Sequence, residues 1–323
     1  MKLRFFVCVA ACFFFLLTAS FIITSESAGK TKVKKRTRGP RAAATQHVSH
    51  CADPDPAHPS NCDIHQAFNA GCPVPWDGAE SHDIDENCPN EGCATRESDK
   101  AQNRIKNNVC ATGTPVEIGF TSIDKLQRAV DLKVQHHELT YGSTGPPQPA
   151  DRNKLKNLAS VDRNNHAITL GEGDLVTLDA FILDAKHDDT FPFGFKGEGV
   201  NCKNSLLEWN DIHVALGSSA TAHECASATA EIIPHFRSAV WDRIDTNACT
   251  VSHVTNPLPV KHLRVRITGQ LFFDGSHKPS PCSAPTGGGN PLRRSVWEIH
   301  PVYKIEVFDH GAFISLEDFA AHH

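Results

Sequence analysis

The sequence predicts a mainly β protein, α+β overall. Its expected architecture is an OB-like five-stranded Greek-key barrel behind a disulfide-rich, partly helical N-terminal region. Three observations predict this. Residues 152–309 carry five β-rich segments with a helical one between the third and fourth, the element order of the OB-fold. Residues 51–111 have little apolar periodicity and many Pro, Asn, Asp and Cys. An even set of cysteines follows an apolar N-terminal run, which in an exported chain reads as disulfides.

With 323 residues, 40% apolar, 21% charged and a formal charge of −5, the chain is not a disordered polymer, a collagen, a polytopic membrane protein or a polycation built for nucleic acid. Lys2 and Arg4 precede an uncharged apolar run over 5–23. This pattern predicts a signal peptide over 1–27 and a secreted, periplasmic or cell-envelope protein without an integral membrane domain. The same run is long enough for the alternative, a membrane anchor through residues 5–23. The basic residues just downstream, from Lys30 to Arg41, oppose that anchor by the positive-inside preference.

Residues 28–50 hold basic residues and no acid, and read as a flexible arm suited to an anionic surface. Residues 51–99 reverse the balance, with acids from Asp53 to Asp99 against Arg96 alone. Residues 51–142 are expected as a Cys-rich acidic module with a helix. It contains Cys51, Cys62, Cys72, Cys88, Cys93 and Cys110. No paired C-x2-C knuckles support structural zinc there. Asp83-Ile84-Asp85 opens like a calcium loop, but Cys88 and Ala94 stand where an EF-hand needs Gly and Glu.

Residues 97–110 predict a short helix and 116–120 a short strand. Ser122 is expected to cap a helix to about His137, with Ile123, Leu126, Val130 and Val134 on one stripe and Asp124 in the first turn. Residues 142–151 read as a linker or long turn. Strands are expected at 175–185, 211–216, 226–233, 263–273 and 295–308, with a helix over 236–247. Pro301 implies an edge or a bulge in the last strand. Residues 310–323 are expected as a tail.

Strand alternation turns this into a site. Ile212, Val214 and Leu216 face one way, Asp211 and His213 the other. Glu231 lies opposite Ala230 and Ile232; Glu298 and His300 lie opposite Trp297 and Ile299; His235 follows the third strand. The second, third and fifth strands of an OB barrel are neighbours, so Asp211, His213, Glu231, Glu298 and His300 are expected on one outer patch, with His235 beside it. Carboxylates and imidazoles at this density suit mutual pairing, general acid–base work or a metal. No cofactor is certain; a divalent metal, zinc first, held by His213, Glu231 and His300, is the one this set suits.

A second surface is Arg264, Arg266, Thr268 and Gln270, with Arg293 and Arg294, a stripe suited to an oligonucleotide or oligosaccharide. Nucleic acid is the weaker partner reading, because Trp297 and Tyr303 fall on the apolar face and leave few stacking aromatics. Two loops sit where OB-folds shape ligand sites. One, at 187–210, carries Phe191, Phe193, Phe195 and Trp209; the other, at 275–291, carries Cys282. Among Cys202, Cys225, Cys249 and Cys282, a Cys202–Cys282 bond would tie these loops, and Cys202–Cys225 is equally allowed. G-x-S-x-G, H-E-x-x-H and C-x-x-C are absent.

The runs Val200-Asn201-Cys202, Asn210-Asp211-Ile212-His213, Thr229-Ala230-Glu231, 268–274 and Trp297-Glu298-Ile299-His300-Pro301-Val302-Tyr303 resemble a set of exported bacterial proteins of unassigned function. The resemblance covers roughly 88–308, Gln102 to Cys110 included, and its W-E-I-H-P-V-Y ending is the most specific part. It implies an exported bacterial protein and supplies no activity. That family ends its last strand with Cys where this chain has Phe308, which puts one disulfide in question.

The residues thus favour an exported binding protein that engages a ligand, polymer or anionic surface through the loops and polar outer face of the barrel. One alternative is a metal-assisted hydrolase, nuclease included, using His213, Glu231, Glu298 and His300. The other is a structural cell-envelope protein attached through its basic arm.

Overall fold

A computed structural model of the protein describes residues 90–92, 94–108, 111, 113–187, 198–201, 211–236, 238, 240–241, 258–283 and 292–323. The expected signal, the basic arm, Trp209 and Cys51, Cys62, Cys72, Cys88, Cys93, Cys110, Cys202 and Cys249 lie outside them, as do most of the 187–210 loop and of the expected 236–247 helix.

Helix α1 (Glu97–Lys106) has acids in its first turn and Arg104 and Lys106 in its last, the order a helix dipole favours. Strand β1 (Val116–Ile118) leads into α2 (Phe120–Gln135). That helix starts ahead of the expected cap: Gly119 is the N-cap, and its N–H donates to Ser122 Oγ at 3.0 Å from within the first turn. Asp124 therefore lies beyond the first turn and pairs with Arg294 at 2.7 and 2.8 Å. Ile123, Leu126 and Val130 are buried, as their spacing predicts.

The segment 142–151, expected as a linker or long turn, is a 3-10 turn (Gly142–Thr144) followed by a short helix α3 (Pro149–Arg152). The cause is Arg152, which is buried, grips Glu172 at 2.9 and 2.5 Å and donates to the Phe273 carbonyl at 3.0 Å. Strands β2 (Leu158–Val161) and β3 (Ala167–Leu170) form an antiparallel hairpin.

The centre of this mixed α/β fold is a closed five-stranded barrel. Its strands are β4 (Leu175–His187), β5 (Ile212–Gly217), β6 (Ala228–Ile232), β7 (Arg264–Phe273) and β8 (Trp297–Asp309). β4 pairs antiparallel with β5, β5 with β6, β8 with β7 and β7 with β4; β6 and β8 run parallel. Closure depends on β4 serving two partners: residues 175–181 pair with β7 and 181–187 with β5, with an irregularity between Ile182 and Asp184 where the strand changes sheet neighbour. Val176, Leu178, Ile212, Val214, Leu216, Ala230, Val265, Ile267, Trp297 and Ile299 fill the core, as alternation predicts. Pro301 marks a bulge in β8: Gly269 opposes Val302, yet Leu271 opposes Ile299.

The second half of β7 is covered on both faces. Thr268, Gln270 and Phe272 are buried; α1 lies over the last two, where Gln270 Nε2 donates to the Ile105 carbonyl at 3.0 Å and Lys106 sits over the Phe272 ring. α2 is tied to β8 through Gln127 Oε1, which accepts from Ser295 Oγ at 2.9 Å and Val296 N at 3.0 Å. Both helices pack on the barrel, so the expected break at 142–152 does not separate them from it. The expected tail forms β9 (Ala312–Ser315), antiparallel to β8, and α4 (Leu316–His322), capped by Ser315 Oγ accepting from the Asp318 N–H at 3.0 Å.

Cys225 is bonded to Cys282, which rules out both Cys202–Cys282 and Cys202–Cys225. Cys225 precedes β6, Cys282 precedes β8, and those strands run parallel, so their leading loops share one end of the barrel. No helix among the described residues is long and apolar enough to cross a membrane.

Candidate functional site

Cross-strand register builds the site. His213 on β5 stands opposite Glu231 on β6, and β6 is in register with β8 at Thr229 and Glu298. The outward side chains of three adjacent strands therefore converge, as expected. They do not form an exposed outer patch. Asp211 and His300 are 0% exposed and Glu231 and Glu298 are 2% exposed. The roof consists of α1, the 3-10 turn Gly199–Asn201 and the segments around Asp274 and Arg293.

His300 is the hub. Its Nδ1 lies 2.8 Å from Glu231 Oε2 and 3.4 Å from Glu298 Oε2, and its Nε2 lies 3.7 Å from Asp211 Oδ2. Phe272 packs edge-on against the imidazole at 5.2 Å. Asn201 Nδ2 donates to Asp211 Oδ1 at 2.8 Å. On the cleft side, Lys106 Nζ lies 3.2 Å from Glu198 Oε2 and 3.7 Å from Glu231 Oε2, and His213 Nε2 lies 3.4 Å from Glu231 Oε1. Arg293 joins Glu298 to Asp274, and Asp274 Oδ2 holds His277 Nδ1 at 2.6 Å.

Enclosure makes these charges interact strongly. Burial pushes Glu231 upward, but His213, Lys106 and His300 outweigh it and hold the carboxyl well below its usual range. Burial, reinforced by Glu198, drives Asp211 up to about 7. Burial and then Glu231 raise Glu298. Burial disfavours the His300 imidazolium, yet Glu231 outweighs it and lifts His300 to about 10. The inner site is therefore a buried histidine whose protonated form is favoured by the Glu231 carboxylate beside it. At its edge, Asp274 is held low against burial by His277 and Arg293, and its hydrogen bond to His277 raises that imidazole. A histidine oriented by a buried carboxylate is the arrangement general acid–base sites use.

The network opens into a cleft of about 570 Å³. Six carboxylates line it: Asp184, Glu198, Glu224, Glu231, Asp274 and Glu298. Three permanent cations, Lys106, Lys186 and Arg293, face them, with His213 and His277. Before the histidines are counted, six minus three leaves a net charge of −3.

His235 sits half-buried on the 3-10 turn Pro234–Phe236 and does not line this cleft. The metal set His213, Glu231 and His300 divides in two, because the histidines approach different oxygens of Glu231. One grouping is Glu198, His213 and Glu231, and the other is Asp211, Glu231 and His300. Of the second predicted surface, Gln270 is buried under α1. Arg264 and Arg266 share Asp179, at 3.4 and 3.0 Å, and lie over Phe308 and Phe313, with Arg266 4.0 Å from the Phe313 centroid. Sequence reasoning missed Lys106 and Glu198, whose partners lie far along the chain, and Asp274, which pairs with His277 three residues on and with the more distant Arg293. His277 and Arg293 stood in segments of interest, and the i, i+3 spacing of Asp274 and His277 was the one local signal that could have found the pair.

No family model, curated protein or solved structure matches this chain.

Proposed function

We propose that this chain is an exported binding module whose OB-like barrel takes a small cationic ligand in the cleft between the β5–β6–β8 face and α1. The observation that carries the reading is a half-open cleft of about 570 Å³ with six carboxylates against three permanent cations, within the usual size of small-molecule sites. The OB-like assignment is supported by the barrel order first–second–third–fifth–fourth, with the third and fifth strands parallel. Export is supported by the basic-then-apolar N-terminus and by the Cys225–Cys282 bond, which persists in oxidising compartments. A polyanion is less favoured, because Arg264 and Arg266 are already engaged with Asp179.

Isothermal titration of the disulfide-intact chain with spermidine, and separately with succinate, tests this. Spermidine is expected to bind, to weaken as salt rises, and to weaken at least tenfold in an Asp184→Lys, Glu224→Lys double variant at the cleft rim. Binding of succinate without spermidine, or of neither, would overturn it.

A further inference from the structure

The two groupings that share Glu231 differ in what they leave free. In Asp211–Glu231–His300, both imidazole nitrogens already face acids, at 2.8 and 3.7 Å. That ring is committed to ion pairing and leaves no donor for a cation. Glu198, His213 and Glu231 have a different geometry. Their ligand atoms lie within 4.8 Å of one another. His213 Nε2 to Glu231 Oε1 is 3.4 Å, which is about the ligand separation of a tetrahedral site with bonds of ~2.1 Å. The Glu198 and His213 side chains are 22% and 26% exposed, while Glu231 is 3% exposed, so the group is anchored on one side and open to the cleft on the others.

A separate observation concerns Glu231 itself. Its two oxygens are divided: Oε2 faces His300 at 2.8 Å and Lys106 at 3.7 Å, while Oε1 is the oxygen on the His213 side, at 3.4 Å. His300 thus fixes one oxygen of a buried carboxylate and leaves the other turned toward His213 and the cleft. Glu231 is also braced from behind by His300, which is backed by Asp211 and Asn201. Chains of this kind orient metal ligands from outside the coordination sphere.

We propose that Glu198, His213 and Glu231 hold a divalent cation of the zinc–manganese class, with open coordination positions toward the cleft. This rests on the reading of the cleft as a site for cations, and names the one that binds at its floor. Lys106 Nζ, 3.2 Å from Glu198 and 3.7 Å from Glu231, is the internal competitor. The carboxylate excess of the cleft accommodates a divalent ion with Lys106 still charged.

The test is Mn²⁺ uptake by the chelator-treated, disulfide-intact full chain, followed by electron paramagnetic resonance. Mn²⁺ is chosen because oxygen and imidazole donors hold it and cysteines do not. One Mn²⁺ per chain is expected, displaced by Zn²⁺. Affinity should fall at least tenfold in Glu198→Gln and in His213→Gln, and rise in Lys106→Met. Glu198→Gln and His213→Gln lie on the cleft wall, and circular dichroism checks that each folds. Absence of Mn²⁺ and Zn²⁺ uptake by the parent chain would overturn the proposal, as would uptake unchanged in both folded variants. Spermidine binding without metal uptake would overturn the metal site and leave the cleft reading standing. Failure of both would overturn both.

Discussion

Asp274 is held both by its neighbours in sequence and by a residue well beyond them. Ser276 N and His277 Nδ1 both close onto Asp274 across a tight turn, at 3.0 and 2.6 Å. What fixes the carboxylate is Arg293, brought in by the approach to β8. The pair gives a pH signature with a definite sign. Asp274 is held below its unfolded value, so its contribution is present above about pH 4 and is lost as pH falls through the folded value. His277 is raised, so its contribution is complete below about pH 6.5 and is lost as pH rises through the folded value. Solvent screening keeps the His277 share small, since its side chain is 48% exposed. Urea unfolding across pH is expected to show a His277→Gln chain with a flatter profile above pH 6.5 and an Asp274→Asn chain with a flatter acid limb. Parent-like profiles in both would contradict the pairing.

Elements were legible where one face meets the core and the other meets water. β5 and the stripe of α2 follow their periodicities because burial selects one face only. What periodicity did not disclose is the cover on the outer face of the second half of β7, a strand otherwise found where expected, and an element held by distant charge, as α3 is by Glu172. The β7–β8 seam has its own test. A Cβ on Gly269 would lie 2.4 Å from the Pro301 carbonyl oxygen and 2.5 Å from Ile299 Cγ2. The bulge lets β8 pass this close to β7. Gly269→Ala is expected to cost about 1–3 kcal/mol, read as a lower melting temperature. An unchanged melting temperature would mean the seam is looser than this geometry.

At the scale of the molecule, the Cys225–Cys282 bond joins residues 57 apart across the end of the barrel that carries the loops leading into β6 and β8. Such a closure typically contributes about 2–4 kcal/mol by restricting the unfolded chain. A Cys225→Ser, Cys282→Ser chain is expected to lose about that much in denaturant unfolding. Stability equal to the parent would argue that these cysteines are not joined. Glu224 of the cleft rim adjoins Cys225, so cation binding should weaken in the same variant.

The sequence by itself determined the local periodicities: the five barrel strands, the inward set from Ile212 to Ile299, and the side of each strand on which Asp211, His213, Glu231, Glu298 and His300 lie. These follow from alternation, which depends only on neighbours along the chain. The tertiary structure alone decided that this face is roofed, which cysteine Cys282 joins, and that Lys106, Glu198, Asp274 and Arg293 complete the charge network. Those contacts join residues far apart in the chain, such as Lys106 and Glu231 or Asp274 and Arg293. The physical reason is burial. Once α1 closes over β7, a patch that would be solvated becomes an enclosed set of charges, where each group's state is set by partners that no local pattern encodes.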